Sequence, residues 1–156
     1  MQTVKDINEV FYNIVAAHET LRLFQTNTLE EFNIDQYDII HFPMLHAQCV
    51  RATVEEGATV FNYEVLVGDI VMETQTTKME DVISDMQMVM QDVIAVLNNT
   101  AYAVVTGADD HGLTMPVTCE PFVARFNNLL AGWTADLTIR VPNALELCNA
   151  PYNIPD

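Results

Sequence analysis

Apolar and polar residues alternate almost without fault from Leu130 to Pro142. Trp133, Ala135, Leu137, Ile139 and Val141 fall on one side, and Thr134, Asp136, Thr138 and Arg140 on the other. A period of two is that of a strand with one buried and one solvated face. The stretch carries the chain's only Trp and ends on a proline, which donates no ladder hydrogen bond. It is the strand around which the remaining elements are placed.

Two segments change to the helical period. Thr3 followed by Asp6 is an N-cap with an acid in the first turn. Val4, Ile7, Phe11, Ile14, His18 and Leu21 then recur at three- and four-residue steps, predicting an amphipathic helix over residues 4–19. His18 lies on the apolar stripe near the helix end, with no second ligand at i+4, and reads as a histidine at the core edge. The second helix opens with Thr77 and Glu80 spaced as a capping box. Met79, Val82, Ile83, Met86, Val89, Met90, Val93, Ile94 and Leu97 form its stripe, broad enough to cover one side of a sheet, and Asn98-Asn99 ends it. Its methionines read as core filling.

The β-rich runs lie between and after these helices. Residues 24–38 mix aromatics with acids and predict a surface segment holding an irregular short strand, pinned by Phe24, Phe32 and Tyr37. Ile39 to His46 is short and apolar, and Pro43 marks it as an edge strand or a strand with a break. Cys49–Val54 and Thr59–Val71 flank Glu55-Glu56-Gly57-Ala58, a hairpin signal. In the second arm Phe61, Tyr63, Val65 and Val67 share one face, and Val60, Asn62, Glu64 and Leu66 the other. Its length predicts an arm that outruns its partner and offers an edge. Residues 100–114 read as a loop, Met115–Phe126 as an edge or bent strand with two prolines, and 143–156 as a surface tail. Strands grouped with two helices, without β-α alternation, predict one α+β domain over 1–156. Its mainly antiparallel sheet has about five strands, packed by two amphipathic helices.

Composition narrows the function. Half of the 156 residues are hydrophobic, which excludes wholesale disorder, and no apolar run is long enough for a membrane span. No signal-peptide pattern opens the chain. The 22 acids against 6 bases, a formal net charge of −16, repel phosphate and argue against tight non-specific DNA binding. Cys49, Cys119 and Cys148 are odd in number and widely spaced, with no CxxC, so they read as free thiols.

No phosphate-loop, dinucleotide, zinc-protease or nucleophile-elbow motif is present. His41 and His46 stand five apart across a proline, an odd spacing that separates them in a strand. Asp109-Asp110-His111 sits in a turn but lacks the alternating oxygen ligands of a calcium loop. The residues thus define no catalytic, cofactor or metal site.

Three patterns together resemble small structural proteins of tailed bacteriophages, the tail-terminator and neck (head-tail joining) proteins. They are Phe61 to Val71; Val82 to Met86 continuing to Gln91-Asp92-Val93; and Glu120 to Phe126 with Leu130 to Leu137, Val141-Pro142 and Cys148 to Pro151. The resemblance covers roughly residues 60–151 and contains no catalytic motif. It implies a virion subunit, assembled in the host cytoplasm, that forms a homo-oligomeric ring with heterologous contacts. The ring's partners would be the tail tube or sheath and the head connector, with DNA passing its channel without specific binding, and no membrane or cofactor involved. Interface or channel residues are then expected at Thr134, Asp136, Thr138 and Arg140, and at the hairpin acids Glu55 and Glu56. The competing expectation is an acidic metal-binding domain or small hydrolase using the Asp109-Asp110-His111 turn.

Overall fold

The computed structural model describes residues 3–26, 41–71, 79–99, 112–125, 129–143 and 145. In chain order these form α1 (Val4–Ala17), β1 (Leu23–Gln25), β2 (Met44–Glu55), β3 (Gly57–Val71), α2 (Met79–Asn98), β4 (Gly112–Leu113), β5 (Cys119–Arg125) and β6 (Leu129–Asn143). The fold is α+β. One six-stranded sheet has the order β1-β2-β3-β6-β4, with β5 also paired to β6, and only β1–β2 is parallel.

The period-two segments account for the centre of the sheet. β3 and β6 are each 15 residues long and pair antiparallel from Gly57↔Asn143 to Val71↔Leu129. Phe61, Tyr63, Val65 and Val67 share a buried face with Ala135, Leu137, Ile139 and Val141. That face meets both helices: α1 lies over β1 and β2, and α2 over β3, β6 and β4. Val82, Met86, Val89, Met90, Val93 and Leu97 are the buried stripe of α2. Each such side chain contributes on the order of 1.5–3 kcal/mol relative to an exposed position.

Local chemistry sets the α1 boundaries. The Thr3 hydroxyl accepts from Asp6 N–H, and the Asp6 carboxylate accepts from Thr3 N–H at 2.7 Å, a reciprocal capping box. Those hydrogen bonds hold the Asp6 carboxyl below its usual pKa, with the Thr3 backbone bond the largest cause. The helix stops at Ala17, short of the expected residue 19, because His18 turns to extended backbone. Tyr63 then ties α1 to the sheet: its hydroxyl donates to Asn8 Oδ1 at 3.0 Å, and its ring meets Phe11 at 5.4 Å. The expected cap at Thr77 and the turn at Asp109-Asp110-His111 lie outside the described residues, as does nearly all of the tail.

Several expectations change. Of the two expected strands over 39–46 and 49–54, the described parts Met44–His46 and Cys49–Val54 belong to a single strand, residues 39 and 40 lying outside the described residues. That strand, β2, starts directly after Pro43 and continues through a register irregularity between Cys49 and Arg51. Met44–His46 is no edge, since β1 covers it on one side and β3 on the other. Nor does β3 offer an open edge along its length: β6 matches it residue for residue, and only Asp69–Val71 outrun β2. Trp133 is half-buried rather than fully buried. It packs on the core from the helix side, and its Nε1–H donates to the Ile83 carbonyl of α2 at 2.8 Å.

A second, smaller apolar cluster occupies the opposite face at one end of the sheet: Phe42, Met44, Ile70 and Leu130, with Leu23 and Phe122 against it. Here β3 and β6 approach at Gly68↔Gly132. A Cβ on Gly132 would lie 1.9 Å from the Val67 carbonyl oxygen, so no larger residue fits without moving a strand.

Candidate interaction face

The polar face of the sheet, away from the helices, is built by alternation. Ladder pairing sets Val60, Asn62, Glu64 and Leu66 of β3 beside Arg140, Thr138, Asp136 and Thr134 of β6. Four of the six residues expected at an interface therefore share one face, and Glu55 joins them from the end of β2. Arg140 Nη1 donates to Glu55 Oε2 at 2.6 Å, both side chains partly exposed, 30% and 44%. The pair spans three neighbouring strands, so it fixes the hairpin end against β6; at this exposure it contributes about 0–1 kcal/mol. Arg140 Nε is buried with no hydrogen-bond partner among the described residues.

Thr138 Oγ1 donates to Asn62 Oδ1 and Thr134 Oγ1 donates to the Glu120 carbonyl, both at 3.4 Å. Asp136 is exposed and stands opposite Glu64, a like-charge cross-strand pair that costs stability. Two shallow hollows flank Asp136. One, of about 250 Å³, lies towards Thr118 and Glu120, and the other, of about 200 Å³, towards His46 and Leu66. His46 is a buried polar residue, 2% exposed. Glu56 sits apart from this face, at the exposed hairpin turn before Gly57, whose φ of 84° suits glycine.

The hairpin end carries exposed apolar side chains. Every residue from Val50 to Gly57 is exposed, including Val50 at 46% and Val54 at 62%. Beyond His46, no described strand covers the outer edge of β2. Exposed valines beside an unpaired edge are a pairing surface unless something blunts it.

A cleft that the sequence did not reveal forms where the ends of α1, β3 and the middle of α2 meet. Its volume is about 790 Å³, and Arg22, Asp69, Asp85 and Asp92 line it beside His18. His18 Nε2 is 2.9 Å from Asp92 Oδ2, and its Nδ1 accepts from Thr20 N–H at 3.1 Å and Leu21 N–H at 3.3 Å. The two backbone donors assign the proton to Nε2, which donates to the carboxylate. Burial raises the Asp69 carboxyl above its ordinary pKa. The Ile70 N–H bond opposes that rise, and the Asp85 charge adds to it. Burial likewise raises the Cys119 thiol. Among the described residues no group of three or more His, Cys, Asp or Glu side chains is arranged to hold a metal ion, and no helix is long and apolar enough to cross a membrane.

No protein-family model matches the chain, and no curated protein matches it significantly.

Proposed function

We propose that the chain is a non-enzymatic structural subunit that assembles into a ring, as a tail terminator or neck protein does on a bacteriophage tail tube. In that setting it caps the tube and joins it to the head connector around the DNA channel. The observation that carries the reading is the hairpin end of the sheet: a long exposed arm with Val50 and Val54 beside a strand edge that no described strand covers. The face next to it is polar, braced by Arg140–Glu55 and Thr138–Asn62.

The motif resemblance over residues 60–151 supplies the class of assembly, and the α+β order agrees with it. A net charge of −16 suits a subunit next to DNA that must pass without adhering, because carboxylates at a channel wall repel phosphate. Like charge also opposes assembly of the copies and is screened within about 10 Å at 0.1 M salt. Association should therefore strengthen as salt is raised. Mass photometry of the full chain across a salt series tests this: a multimer of several copies that grows with salt is expected. A species of one-chain mass at every salt and protein concentration overturns the reading.

A further inference from the structure

We infer that the outer edge of β2 from Ala47 to Glu55 pairs with the outer edge of β5 in a second copy, extending one sheet head to tail. The inference rests on the ring reading and specifies its contact. The sheet has two long edges that no described strand covers, this half of β2 and the far side of β5. Both carry exposed apolar side chains: Val50 and Val54 on one, and Val123, 54% exposed, on the other. Strand direction alternates through β2, β3, β6 and β5, so a copy placed beside β2 in the same orientation presents β5 antiparallel to it. No reversal of the neighbour is needed, which is the condition for a heterologous contact that closes by rotation.

Charge complementarity selects this pairing over β2 with β2. Arg51, paired to Asn62, is exposed on the polar face, and in a chain with 22 acids it makes no ion pair among the described residues. Glu120 is exposed on the same face of β5, and among the described residues its side chain makes no ion pair; its carbonyl accepts from the Thr134 hydroxyl. If the two stretches are centred on one another, Thr53 meets Glu120 and Arg51 meets Phe122. Arg51 and Glu120 are then diagonal neighbours on one face, within reach of a long side chain at about 7–8 Å. A symmetric β2–β2 contact centred on Arg51 would bring the two arginines together and leave Glu120 unused.

The free half of β2 runs from the Ala47–Val65–Ala135 row towards the hairpin, whereas β5 runs from that row the other way. Arg51 lies in the Thr138 row and Phe122 in the Gly132 row, so the copies meet with a stagger of about six residues, roughly 20 Å. Stagger between neighbours tilts the strands, as a closed ring of sheet requires.

A charge-swap cycle on the full chain tests the pairing, with mass photometry as readout and far-UV circular dichroism as the control for folding. Arg51→Glu and Glu120→Arg are both exposed changes that leave the fold intact. Each alone should weaken assembly at least ten-fold in concentration, and the double variant should recover most of the loss. If the wild-type chain assembles but the single variants do so equally well, or the double variant shows no recovery, the pairing is wrong while the ring reading stands. An assembly that stops at two copies also overturns it. A wild-type chain that never assembles refutes both.

Discussion

Gly132 is the position where the strongest effect of a single methyl group is expected. Its missing Cβ would sit 1.9 Å from the Val67 carbonyl oxygen and 2.8 Å from both Gly68 Cα and Val67 C. A relaxed carbon–oxygen contact is about 3.3 Å, so Gly132→Ala must open the β3–β6 pair by more than an ångström. A ladder N···O distance near 2.9 Å then leaves hydrogen-bonding range. The obstacle is backbone, which has no rotamer to escape into. Two or three ladder bonds at about 1 kcal/mol each, with an overpacking cost of about 1–3 kcal/mol, give a loss of about 3–6 kcal/mol. For a chain of this length that lowers Tm by roughly 10 °C. Gly68→Ala is the control. The nearest atoms its Cβ would meet are in the side chains of Leu130 and Phe122, at 3.2 Å, and they can shift, so about 1 kcal/mol is expected. Fluorescence of the adjacent Trp133 follows both melts. A Gly132→Ala variant that melts within about 2 °C of the wild type, or no lower than Gly68→Ala, would refute the close approach of the strands.

Trp133→Ala should cost about 3 kcal/mol, since it removes a half-buried ring and its hydrogen bond to the Ile83 carbonyl. Trp133→Phe should cost about 1 kcal/mol less than that, and chemical denaturation separates the two. The Asp69 carboxyl, raised in the folded state, binds protons more tightly there than in the unfolded chain. Its ionisation thus destabilises the fold at neutral pH, and that penalty is relieved as pH falls through the raised folded-state pKa. Asp69→Asn retains an acceptor for the Ile70 N–H and should melt above the wild type at pH 7. The difference should close as pH falls towards about 4, where an unfolded-chain aspartate also takes up its proton; an equal or lower melt at pH 7 would show that burial is not the governing cause.

Much of this fold is legible along the chain because its central elements bury one face against one period. The hairpin at Glu55–Ala58, the alternate faces of β3 and β6, and the α2 stripe all follow from spacing. The continuity of β2 past Cys49 was hidden, because the register irregularity breaks the alternation that announces a strand. Gly132 looked like part of a motif without a reason; its reason is a carbonyl 65 residues earlier, at Val67. The polar face was readable from Thr134 to Arg140, but its bracing was not, since Glu55 is 85 residues from Arg140. For the same reason the cleft between His18, Asp69, Asp85 and Asp92 carried no local signal: separate segments contribute its side chains, and no spacing rule joins them.

The central claim concerns assembly, and negative-stain electron microscopy of the purified chain addresses it directly. Closed rings with a central channel, built from several copies and lost in the Arg51→Glu variant, are the predicted result. Fields of single compact particles at every concentration and salt would contradict the account.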